Sequence, residues 1–214
     1  MSAKIAALLF ITFFSGFFDF IMEKSVKQQT TDFKLIKQEK NINLYARWIR
    51  VDDKRSARQL KAEFTVNASF ANIFSLIKDD KKTTQWMKNT KSYYIITSID
   101  QNNWYVYVQF SVPWPFNNQD CIIKYEIPTP DAFTQSEIRL TGVPDYLKVN
   151  KGVTRINHFE GTWRLMYLGK NSTKIEYEMF SKQAPAFPRW ITDPIIQHNL
   201  ISTMDAFREM VNKN

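Results

Sequence analysis

Trp104-Tyr-Val-Tyr-Val-Gln-Phe-Ser-Val112, then Pro113-Trp-Pro-Phe-Asn-Asn-Gln-Asp120, then Cys121-Ile-Ile-Lys-Tyr-Glu-Ile127 is the stretch on which the fold turns. In its first part Trp104, Val106, Val108, Phe110 and Val112 alternate with less apolar residues, and in its last part Cys121, Ile123 and Tyr125 do the same. A period of two is that of a strand with one buried face, and the Pro- and Asn-rich piece between the two runs is turn chemistry. Outward from this pair the pattern repeats. Downstream lie Glu137–Thr141, Thr162–Leu168 (with Trp163, Leu165 and Tyr167 in phase) and Lys174–Phe180; upstream lie Tyr93–Ile99, Gln59–Val66 and Ile42–Arg47. Gln101-Asn-Asn103 and Gly169-Lys-Asn171 supply turns. The order of the six segments from Tyr93 to Phe180 predicts one antiparallel meander.

Two segments break the period. Phe70, Ile73, Phe74 and Ile77 follow Ser69 at helical spacing, which predicts an amphipathic helix capped by that serine. The stretch Asp79 to Gln85 is polar and reads as a loop. Pro188 to Asn214 carries Ile191, Ile195, Leu200, Ile201, Met204, Phe207 and Val211 along a second helix, with Pro188 or Pro194 in its first turn, where a missing N–H costs nothing. Strands followed by a long helix that must lay its apolar stripe on one sheet face make an α+β domain.

The composition narrows function by exclusion. The 214 residues hold 5 Gly, 1 Cys and 2 His, which leaves little material for a phosphate-cradling loop, a disulfide framework or a Cys/His metal site. No metal or other cofactor is expected. Aromatic residues make up 15% of the chain, and 29 basic against 21 acidic side chains leave a net charge of +8. That excess is dispersed in mixed clusters, so it fits a solvated surface or an anionic membrane, and no nucleic-acid partner is expected.

At the N-terminus Lys4 precedes a 14-residue uncharged run, Ile5 to Phe18. A basic residue before a short apolar run is the layout of a signal peptide, and a spanning helix wants about 20 apolar residues. Phe13 and Phe14 stand where small residues are expected before a cleavage point at Ser15-Gly16, so residues 1–18 are expected to be a signal peptide or an uncleaved signal anchor. The chain is accordingly expected to be exported or membrane-anchored. Residues 19–31 read as a tether, and 32–214 as the domain.

Four motifs in that domain resemble those of START (steroidogenic-acute-regulatory-related lipid transfer) domains. Pro113-Trp-Pro…Gln119-Asp120 is similar to their Pro-Trp-Pro…Arg-Asp stretch, with Gln119 in place of the arginine. Arg155-Ile-Asn-His-Phe-Glu-Gly-Thr-Trp163 resembles the Arg-Ile…Gly-x-Trp strand of bacterial members, Pro188-Arg-Trp190 their Pro-x-Trp, and Thr83-Thr-Gln-Trp-Met87 their Trp-Met turn. The family's glycine pair after the last strand is replaced by Ala184-Pro-Ala-Phe-Pro188. The resemblance implies a helix-grip fold: a curved antiparallel sheet wrapped around a long C-terminal helix, with an internal hydrophobic cavity between them.

Periodicity alone favours a solid core. The resemblance implies instead that Trp104, Val106, Val108, Phe110, Ile123, Tyr125, Trp163 and Leu165 wall a lipid-sized cavity under Trp190, Ile195 and Met204 of the helix. It further implies binding, transfer or sensing of a lipid, with the helix as gate alongside a loop such as Pro144–Leu147, and transient contact with an anionic membrane. By parity Arg155 and His158 fall on opposite strand faces, so one of them points inward, where it can bond a phosphate, carboxylate or hydroxyl. Catalysis is not expected. The alternative is an enzyme of the cyclase or dehydratase type on the same fold, for which His158 and Glu160 at i, i+2 are the acid–base candidates.

Overall fold

The computed structural model describes residues 31–114, 116–129, 134–183 and 188–213. The apolar N-terminal run, the tether up to residue 30 and residues 184–187 of the Ala-Pro-rich stretch lie outside the described residues.

Ten strands form one sheet: β1 (Lys34–Glu39), β2 (Ile42–Arg50), β3 (Ser56–Val66), β4 (Thr90–Ser98), β5 (Asn103–Phe110), β6 (Asn118–Glu126), β7 (Gln135–Gly142), β8 (Val153–Arg155), β9 (Phe159–Gly169) and β10 (Ser172–Ser181). Three helices accompany them: α1 (Phe70–Lys78), α2 (Asp80–Trp86) and α3 (Arg189–Val211). The strand order is β1-β2-β3-β10-β9-β7-β6-β5-β4, with β8 added parallel to the first half of β6. From β4 to β10 the expected antiparallel meander is present, with β8 as a short parallel addition. After β3 the chain crosses through α1 and α2 to the far edge, then returns strand by strand until β10 pairs with β3.

Hairpin chemistry explains two of the turns. Lys40-Asn41 and Lys170-Asn171 all have positive φ, between 49° and 59°, the backbone that two-residue loops need to match strand twist. Cross-strand pairs then fix which side chains share a face. Trp104 stands opposite Tyr125, Val106 opposite Ile123 and Val108 opposite Cys121. On β2 and β3 the same face carries Ile42, Leu44, Ala46, Leu60, Ala62, Phe64 and Val66. All of them belong to one buried cluster with residues of α1, α2 and α3, so one side of the sheet is the core face along its whole width.

Ser69 caps α1 as expected, its hydroxyl accepting from the Asn72 N–H at 3.3 Å. The polar segment expected to be a loop is the helix α2, whose N-cap carboxylate Asp79 accepts from Lys82 N–H at 3.1 Å. Thr83 and Trp86, three apart on α2, are its two buried residues, and through Trp86 this short helix reaches the centre of the core. Pro188 is the N-cap of α3, and Pro194 sits inside the helix rather than in its first turn.

α3 crosses the core face in the direction of β3. Arg58 near the start of β3 pairs with Asp193, and Asn67 just past its end donates its N–H to Asn212 Oδ1 at 2.8 Å. On the opposite flank α2 packs against both β4 and α3, so the two ends of the sheet close on the same helix. That closure is the helix-grip arrangement the resemblance implies.

Candidate functional site

Eight of the expected wall residues face α3 from the sheet. Trp104, Val106, Val108, Ile123, Tyr125, Trp163 and Leu165 are buried in the core cluster, and Phe110 packs against it half-buried. Aromatic rings interlock across this space. Trp104 stacks on Tyr125 at 5.0 Å, while Trp86 from α2 meets Phe207 of α3 at 5.0 Å and Trp163 of β9 at 6.4 Å, both edge-on. Such offset and T-shaped contacts suit the ring quadrupole and add to area burial. Met204 of α3, also expected at the site, is buried here.

The interior is apolar but not featureless. Thr83, Tyr93 and Tyr125 hydroxyls are linked by hydrogen bonds, and burial raises the phenol pKa of Tyr93, Tyr125 and Tyr177, so all three stay neutral. Cys121 lies on the same face, and burial pushes its thiol up to about 12, with Arg155 pulling weakly the other way. A thiol held in that state is a small hydrophobe and not a nucleophile. The indole N–H groups of Trp86 and Trp104 are buried without a hydrogen-bond partner. An unmet buried donor costs about 1–3 kcal/mol, which an acceptor brought to it would recover. Among the described residues no grouping of His, Cys, Asp and Glu could hold a metal ion.

Four expected site residues stand elsewhere. The parity count that put Arg155 and His158 on one strand fails because the chain leaves β8 after Arg155 and starts β9 only at Phe159. Arg155 pairs with Asp120, on the sheet face turned away from α3, at 2.6 Å and 3.1 Å. Its remaining N–H groups donate to the carbonyls of Pro144, Leu147 and Lys148. A guanidinium so occupied has no donor left for a ligand. His158 and Glu160 are exposed, and Glu160 faces Lys182 at 3.2 Å, so the acid–base candidates lie outside the interior. The loop expected to join the gate, Pro144–Leu147, covers the far face too, with Tyr146 stacked on Tyr105 at 4.5 Å.

Trp190 and Ile195 are on α3, but both are exposed. The helix divides into two halves: from Leu200 to Val211 its apolar side chains are buried in the core, whereas in residues 189–199 Trp190, Ile191, Ile195 and Ile196 are exposed, Trp190 by 77%. Pro194, in the exposed half, has no N–H to give the Trp190 carbonyl. Beside this half runs the loop between β5 and β6. Its first residue, Ser111, donates its N–H to Asn89 O at 2.8 Å, and Asn89 Nδ2 donates to Asn199 Oδ1 of α3 at 2.6 Å. Trp114 in that loop is 92% exposed. The structure thus links the start of this loop to α3 through Asn89, whereas the 144–147 loop lies on the far face.

The sequence reading missed the contributions of Trp86, Tyr93 and Tyr177 to the interior, whereas Phe207 was expected on the apolar stripe of the last helix. Thr83 and Trp86 at i, i+3 were the available signal for the first, and strand alternation for the two tyrosines.

No protein-family model and no curated protein sequence matches the chain. Solved structures do. A STAR-related lipid transfer protein fragment from Xanthomonas axonopodis superposes with a TM-score of 0.73 at 23% identity, covering 85% of this chain and 99% of that one. Human STARD10 gives 0.68 at 16% identity over 85% and 73% of the two chains. The Zhui aromatase/cyclase of a Streptomyces species gives 0.55 at 14% identity over 73% and 94%. At these identities the likeness is one of fold: the chain has the helix-grip architecture of START domains.

Proposed function

We propose that this START-fold chain binds a lipid between the core face of its sheet and α3, and exchanges it when the first half of α3 moves away. The observation that carries this reading is the division of α3. One half is locked into the core, while the other lies over the end of the same face with Trp190, Ile191, Ile195 and Ile196 exposed and a proline within. The interior it would uncover is aromatic and aliphatic, and binding there rests on apolar area removed from water, roughly 25 cal/mol per Å². The two unpartnered indole N–H groups suit an oxygen acceptor on an otherwise apolar molecule. Opening in bulk water exposes apolar surface; opening against a bilayer does not, so exchange belongs at a membrane. The exposed positions of His158 and Glu160 give the enzymatic alternative no support.

Native mass spectrometry of the full chain, followed by organic extraction, tests the reading. The expected result is a stoichiometric co-purifying lipid, or uptake of one from a mixed-lipid extract. A bare protein mass together with no uptake would overturn it.

A further inference from the structure

The described chain begins at Thr31, and its first contacts fix where the preceding segment leaves the domain. Thr31 N–H donates to Trp48 O at 3.0 Å, and Trp48 N–H donates back to Thr31 Oγ1 at 2.8 Å. Trp48 is on the core-facing side of β2, at its very end, and the guanidinium carbon of Arg189 lies 4.7 Å from its ring centroid. Arg189 opens α3, and Arg58, directly across from Trp48 on β3, pairs with Asp193 one turn further on. The chain's point of emergence and the exposed half of α3 therefore meet at the same end of the molecule. An open cleft of about 470 Å³ lies between Thr31, Trp48 and the β2–β3 turn, lined further by Arg50, Lys54 and Arg55. Around it Arg50, Lys54, Arg55, Arg58 and Arg189 stand against Asp32, Asp52, Asp53 and Asp193, an excess of one positive charge, and each arginine lies within ion-pair reach of an aspartate.

The sequence before this point ends the comparison in favour of one occupant. Between Phe18, the last residue of the apolar run, and Thr31 there are twelve residues. Fully extended they reach about 40 Å, at roughly 3.3–3.6 Å per residue. A bilayer that held the apolar run would lie within that distance of the end that presents Trp190, Ile191, Ile195, Ile196 and the excess basic charge. An aromatic–aliphatic surface flanked by arginine and lysine fits an anionic headgroup region, with its apolar part entering the acyl boundary.

We propose that this end is a bilayer-docking surface, and that it docks on the same membrane that holds the chain's own residues 5–18. The protein then works in cis: α3 opens against its own membrane and does not face a second one. The docking surface rests on exposure, charge and the position of Thr31, and holds whether or not a lipid is carried inside.

The test uses the full chain in phosphatidylcholine–phosphatidylglycerol vesicles. Ile195→Cys carries an environment-sensitive fluorophore, and Lys148→Cys, on the loop covering the opposite face, carries it as a comparison. Cys121, buried with its raised pKa, stays unlabelled, which the wild-type chain checks directly. The expected result is a several-fold emission increase at 195, quenched by brominated lipid in the host vesicles. Brominated lipid confined to a second vesicle population leaves the emission unquenched, and the probe at 148 stays silent. Trp190→Glu should abolish the signal at 195 while the chain still floats with its vesicles. Equal quenching from the second population overturns docking in cis. A silent probe at 195 on a floating chain overturns the surface, and a chain that does not float overturns the anchor. Lipid content by mass spectrometry is scored separately, so that failure of carriage and failure of docking are distinguishable.

Discussion

Arg155 shows how one side chain is committed by its surroundings. Its side chain is 4% exposed and that of Asp120 is 0%, and between them the pair closes β8 onto β6 and holds three carbonyls of the 144–148 loop. Taking two charges out of water is costly unless they meet each other with such extra hydrogen bonds, and removing one partner leaves the other buried and uncompensated. Arg155→Met is therefore expected to lower the unfolding free energy by about 3–5 kcal/mol, read by urea denaturation. Arg155→Met combined with Asp120→Asn should recover part of that loss. Because the pair faces away from α3, lipid uptake per folded molecule should be unchanged in the double variant; a loss of uptake there would return Arg155 to the binding site. The motif containing Arg155 was legible in the sequence, but its face was not. Parity counts only along an unbroken strand, and the break at residues 156–158 has no proline or glycine to announce it.

Among the elements, the strands were the most legible, because each has one face in the core and so alternates. β1 was missed because it is an edge strand with little burial, and α2 because only two of its seven residues enter the core. The order of β4 to β10 was legible as a meander, but the closing pair was not: β3 pairs with β10 across more than a hundred residues, and no local pattern records such a pairing. α3 is the instructive case. Its apolar residues extend from Ile191 to Val211, yet only the second half is seated: Ile191 and Ile195 stand on the opposite side of the helix from Leu200, Met204, Phe207 and Val211, a change of phase that the spacing itself carries. Pro194 lies within the exposed half. Replacing it by alanine restores the missing hydrogen bond to Trp190 O and removes a helix-interior proline, a change worth up to about 3 kcal/mol. If the first half of α3 opens by bending there, Pro194→Ala should slow lipid exchange several-fold in stopped-flow transfer, with uptake at equilibrium little altered. An unchanged rate would place the hinge outside the helix.

At the scale of the whole molecule, one core cluster spans β2 to β10 and takes in both short helices and the second half of α3, so these parts should unfold together. The second half of α3 is also clamped from outside the core: Lys40 Nζ donates to Asp205 Oδ2 at 2.8 Å, Lys88 N–H to Thr203 Oγ1 at 3.1 Å, and Asn67 N–H to Asn212 Oδ1 at 2.8 Å. At Asp205 burial works against the charge, but Lys40 and Arg208 outweigh it and hold the carboxyl below its ordinary value. A carboxylate lowered in the folded state contributes its stability above the ordinary carboxylate range and loses it as pH falls through the lowered value. Hydrogen exchange at neutral pH should therefore report two classes within one continuous helix. Amides of residues 200–211 should exchange with the central strands, at the rate of global unfolding, and those of residues 193–199 should exchange orders of magnitude faster through a smaller opening. Acidification should erode the protection of the second half first around Asp205. Anionic vesicles should slow exchange in the first half alone, because a bilayer covers the apolar residues that the sheet leaves uncovered. Uniform protection along α3 would mean that the helix moves as one piece, and the gate would then have to be the Pro-Trp-Pro loop beside it.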